Sequence, residues 1–419
     1  MSRAGIGLCT TRGRASVRAF LCRMKPNVQP RRLRQRKGPV VASNKPSPSE
    51  SALRSLDKQY WLQLGNDWPP ARIAMLCEPM YGALLNNTID TDACAKSLEA
   101  RGARDFVKDA LYDGIPDLSE GRRDVDVNSD FTPDPTIDLQ GATHGSATSG
   151  ATAGSDVTKR ISPNILCYTF PRGEVTRLPE PSLNPPKGIL DYHIMDPAAL
   201  LPVLALGVQY GDRVLDLCAA PGNKTLALLQ TGCCSNLVVN DSLMSRLNRL
   251  RHFLRSFLPH VSGDLVDFVN SDGRSWPGHE SSTFDKVLVD VPCSADRHSI
   301  LQDEDNIFIN QRSGERRELP ALQLSLLMSA LQCCRVGGSV VYTTSSLSKQ
   351  QNTQVVSEAV YRSAASLSID ARPDDLSYMR RAFGRHFCFH PTVAVGQMVV
   401  PYLPLNFGPV YFCKMTRHA

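Results

Sequence analysis

The chain lacks an apolar run long enough to cross a bilayer. The longest, around Leu200 to Val208, falls far short of the roughly 20 residues that a membrane helix needs. It also lacks any Cys-x-x-Cys pair, and its thirteen cysteines include only two adjacent doublets, Cys233–Cys234 and Cys333–Cys334. Neither a zinc ribbon nor a small disulfide scaffold uses that spacing, so the thiols point to a reducing compartment. The first 49 residues lack acid altogether: they carry twelve Lys or Arg, and the first carboxylate is Glu50. That leaves 35 of the 47 basic residues against all 41 acidic ones from residue 50 onward, so the net charge of +6 hides an acidic body. An acid-free start containing Arg, Ser and Ala has the composition of a mitochondrial transit peptide, and the alternative is a basic arm that binds RNA directly.

The remaining composition, 42% hydrophobic and 21% charged, is that of a globular chain. From about Ala52 to Leu111 the pattern predicts helices, with Tyr60, Trp61, Leu64 and Trp68 packing one face. This gives a small N-terminal helical module over 50–123. Residues 124–160 shift to Asp, Ser, Thr, Gly and Ala, which bury too little apolar surface to fold, and read as a linker. Over 161–419 short apolar runs alternate with helical patterns, the signature of an α/β domain with a parallel sheet.

The most informative stretch is Val-Leu-Asp-Leu-Cys-Ala-Ala-Pro-Gly-Asn-Lys-Thr, from Val214 to Thr225. A buried strand breaks there into a glycine-bearing turn that opens a helix. Turn amides and the positive helix end favour anionic or polar ligand groups, and a glycine lets backbone approach closely. About 20 residues further on, the next strand ends in Asp241, at the spacing where a carboxylate accepts hydrogen bonds from ribose hydroxyls. Two more strands end in acids, at Asp272 before Gly273 and at Asp290 before Val291, Pro292 and Cys293. A single such acid is ordinarily a helix cap or a turn residue; three in register suggest a ligand site at the carboxyl ends of the strands.

These letters resemble the Nop/Sun family of RNA cytosine-5 methyltransferases, whose turn reads Asp-Leu-Cys-Ala-Ala-Pro-Gly-Gly-Lys-Thr, with Asn223 here in place of a glycine. Met195 to Pro202, Asp290 to Ser299, Asn406 to Met415 and the Trp-Leu-Gln-Leu-Gly-Asn-Asp-Trp-Pro segment beginning at Trp61 are similar to its mitochondrial ribosomal-RNA branch. The resemblance implies a Rossmann-like class I S-adenosylmethionine-dependent methyltransferase domain acting on small-subunit ribosomal RNA in the mitochondrial matrix. It further implies a basic helical-repeat partner of the mitochondrial termination-factor type. By the same resemblance, S-adenosylmethionine is held by Cys218, Ala219, Ala220, Pro221, Gly222, Asn223 and Lys224, and by Asp241, Arg246, Asp272, Gly273 and Asp290. Asp290 then supplies the contact at ring nitrogen 3 of the base, and Cys293 assists proton removal.

The family nucleophile is a second cysteine in a Tyr-Ser-Thr-Cys-Ser-Leu-Ser motif. Here Tyr342 to Ser348 reads Tyr-Thr-Thr-Ser-Ser-Leu-Ser, so Ser345 occupies that position. A thiol ionises near 8.5 and an alcohol near 15.7, a gap of roughly 10 kcal/mol in access to the anion. Ser345 therefore needs a base, for which His298, on the loop just after Cys293, is the candidate. Cys293 offers a second route, since DNA cytosine-5 methyltransferases attack with a Pro-Cys cysteine. The function expected is cytosine-5 methylation of mitochondrial ribosomal RNA; the alternative is a silent homologue acting as a ribosome-assembly factor. Two further patterns carry less: His386, Cys388 and His390 at strand spacing make three zinc-type ligands without a fourth, so no metal is expected. Arg246, Arg249, Arg251 and Arg255, at helical spacing, suit either phosphate contact or a solvated face.

Overall fold

The computed structural model describes residues 46–112, 164–174, 176–184, 187–258 and 265–419. Most of the basic start and the 124–160 linker lie outside these residues. Helix α1 (Pro48–Leu64) begins where a helix should: Ser47 accepts the Glu50 amide, Glu50 reaches back to the Ser47 amide, and proline occupies the first turn. It leads through a short turn into α2 (Trp68–Leu76). Then come β1 (Gly82–Leu85), α3 (Asp92–Glu99), β2 (Arg104–Asp105) and α4 (Phe106–Tyr112). After the next described residues come β3 (Cys167–Thr169), β4 (Leu183–Asn184), β5 (Ile189–Leu190) and β6 (Tyr192–Met195).

The helical expectation over 50–123 needs correcting. Strand β1 lies inside it and pairs antiparallel with both β3 and β6, giving a sheet of order β2-β3-β1-β6. Gly-Ala-Leu-Leu is fully buried and too short to show a period. Nor is the segment a separate body, because Ser47–Ala419 clusters as one compact unit. Leu56, Tyr60, Leu64 and Trp68 of the first helices share a core with Val287 and Val289 of the main sheet, and the Tyr60 and Trp68 rings meet edge to face at 5.0 Å. Trp61, expected on the packed face, is 57% exposed.

Beyond α5 (Leu201–Leu206), whose six residues are all buried, the main sheet begins. Its elements in chain order are β7 (Asp212–Asp216), α6 (Asn223–Gln230), β8 (Cys234–Asn240), α7 (Met244–Leu254), β9 (Val266–Val269), β10 (Phe284–Asp290), α8 (Asp296–Leu301), α9 (Ser313–Cys333), β11 (Cys334–Thr344), α10 (Thr353–Leu367), β12 (Ala371–Pro373), α11 (Ser377–Phe383), β13 (Gln397–Val399) and β14 (Val410–Arg417). The spatial order is β12-β14-β11-β10-β7-β8-β9. Strands β7 to β11 run parallel, and β14 inserts antiparallel against β11. The chain winds outward from β7 through β8 and β9, then crosses to β10 on the other side. The crevice between β7 and β10 is thus the topological switch point where open α/β sheets bind ligands.

Candidate active site

The register of the parallel strands brings the sequence-picked residues together. Leu288 pairs with Asp216, and Asp290 with Thr343, so β7, β10 and β11 end side by side. Asp216 is 1% exposed; its Oδ2 accepts the Thr225 hydroxyl at 2.7 Å and its Oδ1 has no partner. Burial, with the neighbouring Asp290 and Asp241 charges, pushes this carboxyl up to about 7 against the opposing Thr225 and Lys224.

The turn after β7 closes over that acid. Gly222 has φ +119°, and a Cβ there would lie 2.3 Å from Leu250 Cδ1 and 2.9 Å from Phe253 Cδ1. Only glycine fits. Asn223 is the first residue of α6 and is not left-handed; that conformation belongs to Gly222. Lys224 Nζ pairs with Asp290 Oδ2 at 2.7 Å, with its side chain 10% exposed. On the facing side Asp241 is buried, takes the Leu243 amide at 3.0 Å, and lies 3.6 Å from Arg246 Nε. Arg246 also donates to the Ala220 carbonyl, clasping the turn. Asp272 caps its own loop through the Arg274 amide and pairs with Arg274 at 2.6 Å, which holds its carboxyl below the usual range. Gly273 is tight, since a Cβ would meet Leu326 Cδ2 at 2.8 Å. Cys218 is half-buried and its thiol is pushed up, chiefly by burial and next by Asp216. An orphaned buried carboxylate oxygen at the switch point, ringed by Lys224, Asp241 and Asp290, is what a bound polar cofactor requires, and the residues present fit S-adenosylmethionine.

Beside this cradle the backbone of Ser345 reaches Cys293. The Ser345 amide donates to Cys293 Sγ at 3.4 Å. Burial pushes the Cys293 thiol up to about 12, against the Ala295 and Ser345 amides, which favour the thiolate. His298 is exposed on α8 and has no hydrogen bond to Ser345 among the described residues, so the base proposed for the alcohol is absent from its side. Asp290 Oδ2 is taken by Lys224, and its Oδ1 accepts no hydrogen bond among the described residues.

A buried network below these loops escaped the sequence. Asp296, fully buried, accepts the Tyr60 hydroxyl at 2.5 Å, the Ser294 hydroxyl at 2.5 Å and the Leu347 amide at 2.8 Å. Its own amide donates to the Ser345 carbonyl at 3.1 Å. Helix α1 therefore fastens the loops that follow β10 and β11. Ser294, next to the quoted Cys293, was the local signal; Tyr60 is 236 residues from its acceptor and gave none.

The His386, Cys388 and His390 triad comes apart: His386 packs on the Phe106 ring at 5.9 Å and His390 Nε2 lies 3.5 Å from Asp67. Among the described residues no group of three or more His, Cys, Asp or Glu is placed to hold a metal ion. Of the arginines on and after α7, Arg251 stacks on Phe268 at 4.8 Å and Arg246 belongs to the cradle. No described helix is long and apolar enough to cross a membrane.

The sheet order, with an antiparallel strand inserted beside β11 and a polar cradle at the switch point, defines a Rossmann-like class I methyltransferase domain. A family model described as 16S rRNA methyltransferase RsmB/F matches residues 203–392. The chain is 43% identical over 390 residues to the Mus musculus protein named 5-cytosine rRNA methyltransferase NSUN4, spanning 93% of this chain and 94% of that one. The Bos taurus protein of the same name is 42% identical over 403 residues, spanning 96% and 97%. Among solved structures, a methyltransferase homolog protein from Pyrococcus horikoshii superposes with TM-score 0.53 at 18% identity, over 90% of this chain and 100% of that one, which bears on the fold alone. The chain belongs to the Nop/Sun family of RNA cytosine-5 methyltransferases.

Proposed function

We propose that this protein methylates carbon 5 of a cytosine in ribosomal RNA, using S-adenosylmethionine held by the Cys218–Lys224 turn, Asp241, Arg246, Asp272, Gly273 and Asp290. When bound, that cofactor supplies an electrophilic methyl group. Carbon 5 of cytosine is a poor nucleophile, so a sulfur must first add at carbon 6. Cys293 is the thiol in position: its thiolate adds to carbon 6, carbon 5 takes the methyl group, the carbon 5 proton leaves, and the carbon–sulfur bond breaks to return the thiolate. Ser345 contributes its backbone N–H to that sulfur rather than its hydroxyl to the base. The observation that carries this assignment is the 3.4 Å contact between the Ser345 amide and Cys293 Sγ.

The names of the relatives support ribosomal RNA as substrate. A mitochondrial site of action is supported by the acid-free start and by a Danio rerio relative, 32% identical, named as a mitochondrial tRNA methyltransferase. The matrix, small-subunit RNA and a basic helical-repeat partner complete the proposal, because an acidic body lacks the phosphate attraction that dominates RNA affinity. Methyl transfer from labelled S-adenosylmethionine to ribosomal RNA, with the product base identified by mass spectrometry, tests the reading; label absent from 5-methylcytosine would overturn it. One observation favours the second reading, a silent assembly factor: the family's attacking cysteine is Ser345 here, and the remaining thiol is pushed up to about 12. That reading predicts no turnover and ribosome assembly indifferent to Cys293→Ala.

A further inference from the structure

The segment that leads into α10 carries two side-chain amides, Gln351 and Asn352, and both turn away from that helix. Asn352 stands at the N-cap, where an Asn ordinarily accepts a first-turn amide, yet its side chain caps nothing. Its Oδ1 instead accepts the Thr344 hydroxyl at 2.6 Å, and its Nδ2 donates to the Ser346 carbonyl at 2.7 Å. Those are the residues on either side of Ser345.

Gln351 treats Cys293 in the same way. Its Oε1 accepts the Ser294 amide at 3.0 Å and its Nε2 donates to the Ser294 hydroxyl at 2.9 Å. Gln323 of α9 donates from Nε2 to the Pro292 carbonyl at 2.8 Å and to Gln351 Oε1 at 3.1 Å. A carbonyl only accepts and a backbone N–H only donates, so both amides can face only this way. The Pro292–Cys293 peptide is thus held by its oxygen and the Cys293–Ser294 peptide by its nitrogen. Only the φ and ψ of Cys293 lie between those two planes, so fixing the planes fixes the direction of its Cα–Cβ bond. Gln323 is 0% exposed and Gln351 8%, which leaves water little chance to compete. Gln323 is kept although its Oε1 is buried without a partner, a cost that an apolar side chain of the same length would not carry.

We infer that Gln351, backed by Gln323, and Asn352 are positioning residues, which set the Cys293 sulfur against the Ser345 amide by gripping the neighbours of each. The inference rests on the reading of Cys293 as the attacking thiol and adds the frame that aims it. Gln323→Met and Gln351→Met keep the side-chain length and remove the hydrogen-bonding ends. In the full chain, single-turnover methyl transfer to ribosomal RNA should fall about tenfold or more in each, because a misplacement of about 1 Å can cost about a hundredfold. KM for RNA and the calorimetric affinity for S-adenosylhomocysteine should stay within about twofold of the natural chain. The double variant should fall short of the product of the two losses, since both amides hold one residue.

Hydrogen exchange gives a readout that needs no turnover. The Ser294 amide should exchange about tenfold faster or more in Gln351→Met, while the Val287 to Val289 amides of β10 stay as slow as in the natural chain. A methyl-transfer rate that falls no further than the folded fraction, a loss that appears in KM instead, losses that multiply in the double variant, or Ser294 exchange that is unchanged or rises together with β10 would each overturn the inference and leave Cys293 as the attacking thiol. Failure of the natural chain to methylate RNA would overturn the reading of Cys293 and the inference together.

Discussion

Replacing Asp216 with Asn should stabilise this protein at neutral pH and leave it unchanged in acid. The carboxyl is 1% exposed with one oxygen unpartnered, and burial, Asp290 and Asp241 push it up to about 7 from an ordinary 3.8. The unfolded chain loses this proton near pH 4, whereas the folded chain keeps it until about 7. Between those values the folded state binds more protons, so raising the pH costs stability throughout that window and nothing further above it. About three pH units at ~1.4 kcal/mol each make the loss about 4 kcal/mol by pH 8. An amide carries no such term. Urea unfolding of both chains, extrapolated to water, should give near-equal stabilities at pH 4 and an Asp216→Asn chain several kcal/mol more stable at pH 8. A difference that does not change with pH, or one of the opposite sign, would refute the reasoning. The predicted difference makes the natural acid a stability cost kept at the switch point.

Three further outcomes follow from the same geometry. Gly222→Ala forces a side chain into a left-handed turn and a Cβ against Leu250 and Phe253, so backbone strain and overpacking together should cost about 2–5 kcal/mol in urea unfolding, with cofactor affinity falling alongside. Tyr60→Phe removes a hydroxyl donated to the buried Asp296 carboxylate and should cost about 1.5–3 kcal/mol; a methyl-transfer rate that falls no further than the folded fraction would show that helix α1 does not set the loops. If the Cys293 thiolate attacks, its population below pKa 12 grows about tenfold per pH unit, so single-turnover methyl transfer should climb steadily from pH 7 to 9; a flat profile would contradict it.

The sheet and the cradle were legible because each is written locally. Val214 to Thr225 holds strand, turn and helix within twelve letters, and the acids at 241, 272 and 290 mark successive strand ends. What stayed hidden depends on distance along the chain. Asp296 is an ordinary loop acid until Tyr60 folds back on it, and Asn223 is an odd substitution until His193, thirty residues earlier, meets it. Strand β1 was missed because four buried apolar residues carry no period, and Trp61 was misplaced because it sits one position beyond the Tyr60 and Leu64 stripe. The serine at 345 was visible at once, but its backbone contact appeared only when parallel pairing of β10 and β11 set it beside Cys293.

The central claim is that Cys293 attacks the base while Ser345 only presents an amide to it. Incubating the protein with S-adenosylmethionine and 5-fluorocytosine-substituted ribosomal RNA tests this directly, because the fluorine cannot leave as a proton does and the attacking atom stays bonded to carbon 6. A stable adduct mapped by mass spectrometry to Cys293, present in Ser345→Ala and absent in Cys293→Ala, is the expected result. An adduct on Ser345, or methylation that survives Cys293→Ala, would contradict it.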